Sequence, residues 1–211
     1  MGKLDIHYLN LGIIGTNVYF LANRETGEML LVDPADNANY IAEQCRLRKY
    51  TPVAILLTHG HFDHIFAVND LKKLWPQVPV YAYEGERELL SDPWMNRSKQ
   101  WAQPYTTKAD VWVHDHEILE LAGFSIEVLH TPGHTAGSCC YYIADEKTLI
   151  SGDTLFHESY GRTDLQTGSQ SAIFRSIQEC LLKLPDDVKV YPGHMDMTTI
   201  GHEKKYNPAV F

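Results

Sequence analysis

The stretch Val53-Ala54-Ile55-Leu56-Leu57-Thr58-His59-Gly60-His61-Phe62-Asp63-His64 decides how this chain is read. A five-residue apolar run of strand-like composition ends abruptly in three histidines and one aspartate. In an extended segment His59 and His61 project to the same side, two residues apart. The turn that follows aims Asp63 and His64 at a second point nearby. Neutral imidazoles and a carboxylate on one tight turn suit borderline metal ions, and one such segment can feed two of them. A tag remnant would sit at a terminus. This cluster instead follows a buried strand, at the carboxyl end where open α/β sheets place their sites.

One turn cannot close two coordination shells, so further donors are expected downstream. His134 in Thr131-Pro132-Gly133-His134-Thr135, Asp153 in Ser151-Gly152-Asp153-Thr154 and His194 in Tyr191-Pro192-Gly193-His194 repeat one arrangement. Each follows an apolar strand-like run and is preceded by glycine, which lets the backbone bend and pack closely.

These motifs resemble the metallo-β-lactamase superfamily. Within it, Thr131-Pro132-Gly133-His134-Thr135, Gly152-Asp153-Thr154-Leu155-Phe156 and Tyr191-Pro192-Gly193-His194 are similar to the hydroxyacylglutathione hydrolase (glyoxalase II) group. The resemblance implies an α/β fold, an αββα sandwich of two mixed sheets flanked by helices. It implies one metal on His59, His61 and His134, a second on Asp63, His64 and His194, and Asp153 bridging both. Asp63 would be ligand and catalytic group together. Two divalent metals, zinc first and iron or manganese as alternatives, would activate a bridging water to hydroxide. A thiolate leaving group needs no dedicated acid, because thiol pKa is near ~8.5. The implied activity is hydrolysis of a small-molecule thioester, hydroxyacylglutathione or a related acyl thioester. The alternative is a mono-iron persulfide dioxygenase, which Gly161-Arg162-Thr163-Asp164 also resembles. Gly193 leans toward the hydrolases, since the dioxygenases tend to carry Ala there.

Substrate contacts are expected from the loop after Asp153, at His157, Tyr160 and Arg162. Where glyoxalase II has a glutathione-contacting aromatic, this chain has Asp164, a possible ion-pair partner for Arg162. The expected organisation is one domain over residues 1–211, without the C-terminal glutathione-binding helical domain of that group.

Composition narrows the partners. A net charge of −9, with Arg46/Arg48/Lys49 and Lys204/Lys205 as the basic clusters, argues against nucleic acid. No apolar run approaches a membrane span, and Met1-Gly2-Lys3-Leu4-Asp5 lacks the apolar core of a signal peptide. The four cysteines, Cys45, Cys139, Cys140 and Cys180, show no Cys-x-x-Cys spacing. Free thiols in a reducing cytoplasm are expected, with Cys139 and Cys140 on opposite faces of one strand. The absence of a cysteine ligand, the intact Asp63-His64 pair and the lack of a signal peptide argue against a secreted β-lactamase.

Periodicity predicts strands at Leu4–Leu9, Val18–Ala22, Met29–Val32, Val53–Leu57, Val78–Tyr83, Glu117–Leu121, Phe124–His130, Ser138–Ile143, Thr148–Ser151 and Val188–Tyr191. Helices are expected at Asn37–Lys49, Ile65–Trp75, Ser169–Leu184 and from Ile200 to Asn207. Residues 84–116 show no regular pattern. His7, His114, His116, His130 and His202 have no ligand spacing to the core motifs.

Overall fold

A computed structural model describes residues 2–210. Met1 and Phe211, the ends of the expected domain, lie outside the described residues. The first half gives β1 (Leu4–Leu11), β2 (Thr16–Asn23), β3 (Glu28–Val32), α1 (Ala38–Arg48), β4 (Thr51–Leu57), α2 (Phe62–Ile65), α3 (Val68–Leu74), β5 (Val80–Tyr83), α4 (Arg87–Ser91), α5 (Ser98–Trp101) and β6 (Val111–Val113). The second half gives β7 (Ile118–Leu121), β8 (Phe124–His130), β9 (Cys139–Ile143), β10 (Thr148–Gly152), the short hairpin β11 (Leu155–Phe156) and β12 (Ser159–Tyr160), α6 (Gln170–Arg175), β13 (Lys189–Pro192), β14 (Thr198–Thr199) and α7 (Ile200–Tyr206).

Strands β1 to β6 form one sheet in chain order, antiparallel through β3 and parallel from β3 to β6. Parallel neighbours need crossovers, and α1 supplies the one between β3 and β4. Asn37 caps α1 by accepting from the Tyr40 N–H, and Lys49 ends it in the left-handed region. The second sheet runs β14-β13-β10-β9-β8-β7. The result is the αββα architecture of two mixed sheets flanked by helices.

Alternation along β2 builds the layers. Tyr19 and Leu21 face the second sheet and meet Ile126, Val128, Tyr141 and Ile150. Val18, Phe20 and Ala22 face outward and meet Ile41, Cys45, Val68 and Leu71 under α1 and α3. On the far side of the second sheet, Leu129, Cys140, Leu149 and Val190 pack on Ile173, Ile177 and Ile200. Cys139 lies in the layer between the sheets and Cys140 in the outer layer, as their adjacency predicts. All four cysteines are free.

Three expectations about local structure need correction. The helix expected at Ile65–Trp75 begins only at Val68, as α3, and Ile65 instead ends the separate α2, because the Ala67 N–H donates to the Pro34 carbonyl rather than back into α2. The helix expected at Ser169–Leu184 is regular over Gln170–Arg175, then widens into a π-type turn over Ser176–Cys180. Residues 84–116 hold α4, α5 and edge strand β6, elements too short to leave a periodic signature.

Strand direction gathers the site. β3 and β4 are parallel. β8 and β10 are each antiparallel to β9, and β10 is parallel to β13, so β8, β10 and β13 run the same way. The carboxyl ends of all five strands converge. Cross-sheet bonds lock them: Cys139 N–H donates to Thr58 O at 2.9 Å, Asn17 N–H to Gly193 O at 2.8 Å, and the Tyr19 hydroxyl to Pro192 O at 2.7 Å.

Candidate metal centre

The seven side chains singled out in the sequence as donors meet at this junction, and they do so in two groups. His59, His61 and His134 form the first, and Asp63, His64 and His194 the second. His61 and Asp63 lie on either side of Phe62, so the start of α2 turns them toward different groups. In the first, His61 Nδ1 and His134 Nε2 face each other at 2.8 Å. In the second, His64 Nε2 lies 3.3 Å from His194 Nε2, and Asp63 Oδ2 lies 3.5 Å and 3.3 Å from those two nitrogens. Asp153 joins the groups. Its Oδ1 is 3.4 Å from His64 Nε2, and its Oδ2 is 3.6 Å from His134 Nε2 and 3.4 Å from His194 Nε2.

Gly193 makes this closeness possible. A Cβ there would stand 2.2 Å from Asp153 Oδ1 and 2.7 Å from His64 Cε1. Its N–H donates to Gly152 O at 2.8 Å, drawing the β13 and β10 ends together.

Hydrogen bonds at the back of the rings fix which nitrogen faces inward. His64 Nδ1 donates to Asp33 Oδ2 at 2.9 Å. The Thr58 hydroxyl donates to the same oxygen at 2.6 Å and accepts from His59 Nδ1 at 3.2 Å. His134 Nδ1 donates to the Arg162 carbonyl at 2.8 Å. The Nε2 atoms of His59, His64 and His134 are thereby the ones turned inward, the arrangement that orients metal-binding histidines. Thr16 Oγ1 donates to Asp63 Oδ2 at 3.1 Å.

The donor set fits divalent ions. His59 Nε2 and Asp153 Oδ1 are buried with no hydrogen-bond partner among the described residues, an expensive state for polar atoms in a folded interior. Donor atoms on a tetrahedral ion, at metal–donor distances of about 2.0–2.2 Å, lie ~3.3 Å apart, and the contacts above bracket that value. Nitrogen and carboxylate donors without thiolate suit zinc, iron or manganese.

Charge supports this. Burial pushes His59 and His61 well below the ordinary histidine range, and neighbouring imidazoles add to the effect. Both are neutral, as ligands must be. Burial alone would raise Asp63, but His64 and His194 hold it far below the usual carboxylate range, so it is ionised. Burial would lower His64, but Asp153, Asp63 and Asp33 outweigh it and raise it to about 10. The second group thus holds a strong demand for positive charge.

A cavity of about 560 Å³ opens over the centre, floored by His61, Asp63, His134, Asp153 and His194. Ile13, Ile14, Trp101, Phe156, Leu165 and Met195 make its walls apolar. Arg162 reaches the cavity, but its guanidinium is bound in bidentate fashion to Asp164 at 2.8 Å and 2.7 Å. Tyr160 and His157 do not line this cavity. Tyr160 packs edge-on against Phe174. His157 lies 5.0 Å from the His202 ring, beside a separate shallow depression, because the β11–β12 hairpin turns it toward α7.

Three residues at the site have no counterpart in the sequence expectations. Asp33 follows the apolar end of β3 just as His59 follows β4, and that strand-end position was a usable signal. Glu86 is buried and accepts from Gly60 N–H at 2.7 Å, Gly137 N–H at 2.9 Å and Thr135 Oγ1 at 2.7 Å, tying the His59–His61 loop to the His134 loop. Arg97 lines the cavity from the segment without periodicity. Neither Glu86 nor Arg97 carries a sequence signal.

The chain resembles known proteins over nearly its full length. It is 38% identical over 200 residues to the probable metallo-hydrolase YqgX of Bacillus subtilis, covering 94% of this chain and 93% of that one. It is 33% identical to the hydroxyacylglutathione hydrolase GloC of Haemophilus influenzae, covering 84% and 85%. Among solved structures, BLEG-1, described as a B3 metallo-β-lactamase, superposes with a TM-score of 0.92 at 39% identity, covering 98% of this chain and 99% of that one. TTHA1623 in a di-iron-bound form gives 0.85 at 33% identity, covering 96% and 98%. The model of the metallo-β-lactamase superfamily matches residues 11–194, and with its fold and its paired histidine–aspartate groups the chain belongs to that superfamily.

Proposed function

We propose that this protein is a dinuclear metal-dependent hydrolase of thioesters, of the glyoxalase II type. The observation that carries the reading is the placement of Asp153, whose two oxygens reach both donor groups. His59, His61 and His134 would hold one ion, Asp63, His64 and His194 the other, and Asp153 would be shared. Zinc is the proposed metal, with the di-iron form of TTHA1623 naming iron as its competitor. Two such ions would supply an activated water at neutral pH and a Lewis acid for the acyl carbonyl.

The chain's own residues do the rest. Asp63, ionised and held by Thr16, accepts a hydrogen bond from the attacking water and orients it. Asp33 and the Arg162 carbonyl keep His64 and His134 oriented. The apolar walls limit bulk water around the acyl group. No side chain needs to protonate the leaving group, because a thiolate departs unaided near neutral pH. GloC, at 33% identity, supports the thioester class.

β-Lactam hydrolysis is the second reading, favoured by the 39% identity to BLEG-1. One set of measurements separates the possibilities. Elemental analysis of fully loaded protein should approach two metals per chain. Lactoylglutathione and simpler acyl thioesters should be hydrolysed, with a chromogenic cephalosporin turned over far more slowly. Faster cephalosporin turnover would install the second reading. One iron per chain, with oxygen consumed on glutathione persulfide and no thioester cleavage, would replace the proposal by the dioxygenase.

A further inference from the structure

The cavity over the metal centre is lined by two guanidiniums, and they are not equivalent. Arg162 already has a bidentate carboxylate partner in Asp164. Arg97 has no ion-pair partner among the described residues, and its one side-chain hydrogen bond is a long contact of 3.5 Å to Gln166. The carboxylates Asp63 and Asp153 on the floor belong to the donor groups and Asp164 is taken by Arg162, so Arg97 is the lining guanidinium left without a direct ion pair among the described residues.

Arg97 is also rigidly mounted. Its backbone lies in the left-handed region at φ 71°, a conformation non-glycine residues adopt only where the surroundings impose it. The surroundings are specific. Buried Asn96 accepts from the Phe62 N–H through its carbonyl at 2.9 Å, donates from its side chain to Tyr105 O at 2.8 Å, and accepts from the Ser98 N–H at 2.9 Å. Phe62 stands between His61 and Asp63, so Arg97 is fastened one hydrogen bond away from the donor loop. A half-buried cation on a fixed backbone, with no ion-pair partner among the described residues and apolar walls beside it, is a site for an anion on an otherwise apolar ligand.

We propose that Arg97 is the carboxylate-binding residue of the substrate pocket, and that the substrate is a thioester of a carboxylate-bearing thiol whose apolar portion lies against Ile13, Ile14 and Trp101. The inference rests on the thioester reading and gives its carrier a chemical class. Arg162 serves the loop instead: its carbonyl holds His134 and its guanidinium holds Asp164.

The test compares acyl thioesters of 3-mercaptopropionate with those of its amide, which differ only in the charge Arg97 would meet. Wild-type protein should prefer the carboxylate by roughly ten- to a hundredfold in kcat/KM, carried mainly by KM. Arg97→Gln should abolish the preference and Arg97→Lys should retain part of it, while Arg162→Gln should keep it. Arg97→Gly, which relieves the left-handed backbone, guards against misfolding and should behave as Arg97→Gln. Absence of a preference in wild type, or its survival in both Arg97→Gln and Arg97→Gly, overturns the assignment. Binding is read independently of turnover from the fluorescence of Trp101 at the cavity mouth, using the S-propyl thioethers of the same acid and amide. Loss of thioester cleavage with a preserved, Arg97-dependent preference for the acid sinks the hydrolase reading and keeps the anion site. Equal affinity for acid and amide sinks the anion site alone.

Discussion

Nδ1 of His64 donates to Oδ2 of Asp33 across 2.9 Å, with both side chains buried. Asp33 also accepts from the Thr58 N–H at 2.8 Å and from the Thr58 hydroxyl, which in turn receives His59 Nδ1. One carboxylate therefore sets the tautomer of a histidine in each donor group. Asp33→Asn keeps the shape but puts an N–H₂ among groups that are all donors. Metal affinity should fall about 10–100-fold, the usual cost of losing such a partner. Competition with a graded series of chelators measures it. Unchanged affinity in Asp33→Asn would mean that packing alone orients the rings.

Asp153 should matter to both metals and His134 to one. Asp153→Ala removes the shared charge, so stoichiometry should fall well below that of His134→Ala, which leaves Asp63, His64, His194 and Asp153 in place. Stripping wild-type protein with a chelator should abolish turnover, and one or two equivalents of metal should restore it. Elemental analysis of each purified variant gives the comparison. Full loading in Asp153→Ala would remove its bridging role.

The convergence of His59, His61, Asp63, His64, His134, Asp153 and His194 was legible because the pattern is chemical and local. His, Asp and Gly recur at strand ends, and strand direction then brings the ends together. Cys139 and Cys140 fell on opposite faces because alternation along a strand is geometric. What failed depends on distant partners. The break between α2 and α3 follows from an Ala67–Pro34 bond between segments separated by α1 and β4. His157 lies four residues past Asp153, yet a hairpin swings it away to His202. Arg97 and Glu86 sit in turns whose neighbours are set by the whole fold, so spacing could not reveal them.

Gly193→Ala tests how tightly the centre is drawn. The added methyl would meet Asp153 Oδ1 at 2.2 Å, far inside contact distance, and relieving that clash requires Asp153 or the His194 loop to move. Overpacking of this kind costs about 1–3 kcal/mol of stability. A displacement near 1 Å at a reacting centre can cost ~10²-fold in rate. The thermal midpoint should therefore drop modestly while kcat drops steeply, and one metal should be lost before the other. An active variant with two tight metals would show that the Asp153 position is more tolerant than these contacts allow.

Glu86 gives the last prediction, and it concerns pH. Its carboxylate bridges Gly60 on one side to Thr135 and Gly137 on the other, bracing His59, His61 and His134 without touching them. Burial pushes it up to about 6 from an ordinary 4.5, against the lowering effect of those three hydrogen bonds. Because the folded value lies above the unfolded one, the native state binds the extra proton between these values. The contribution of Glu86 to stability therefore falls as pH rises from about 4.5 to 6, by about 2 kcal/mol, and stays at that lower level above. Glu86→Gln removes the titration and presents an N–H₂ to groups that donate, which costs about 1–3 kcal/mol at neutral pH. Urea unfolding of metal-free wild type and variant across pH 4–7 isolates the term by subtraction, since titrations common to both cancel. The wild type should lose ground to the variant through pH 4.5–6. The variant's metal at His59, His61 and His134 should also bind more weakly than its metal at Asp63, His64 and His194. A pH-independent difference in stability would show that Glu86 titrates near its ordinary value. Equal weakening of both metals would show that the brace serves the fold rather than one metal position.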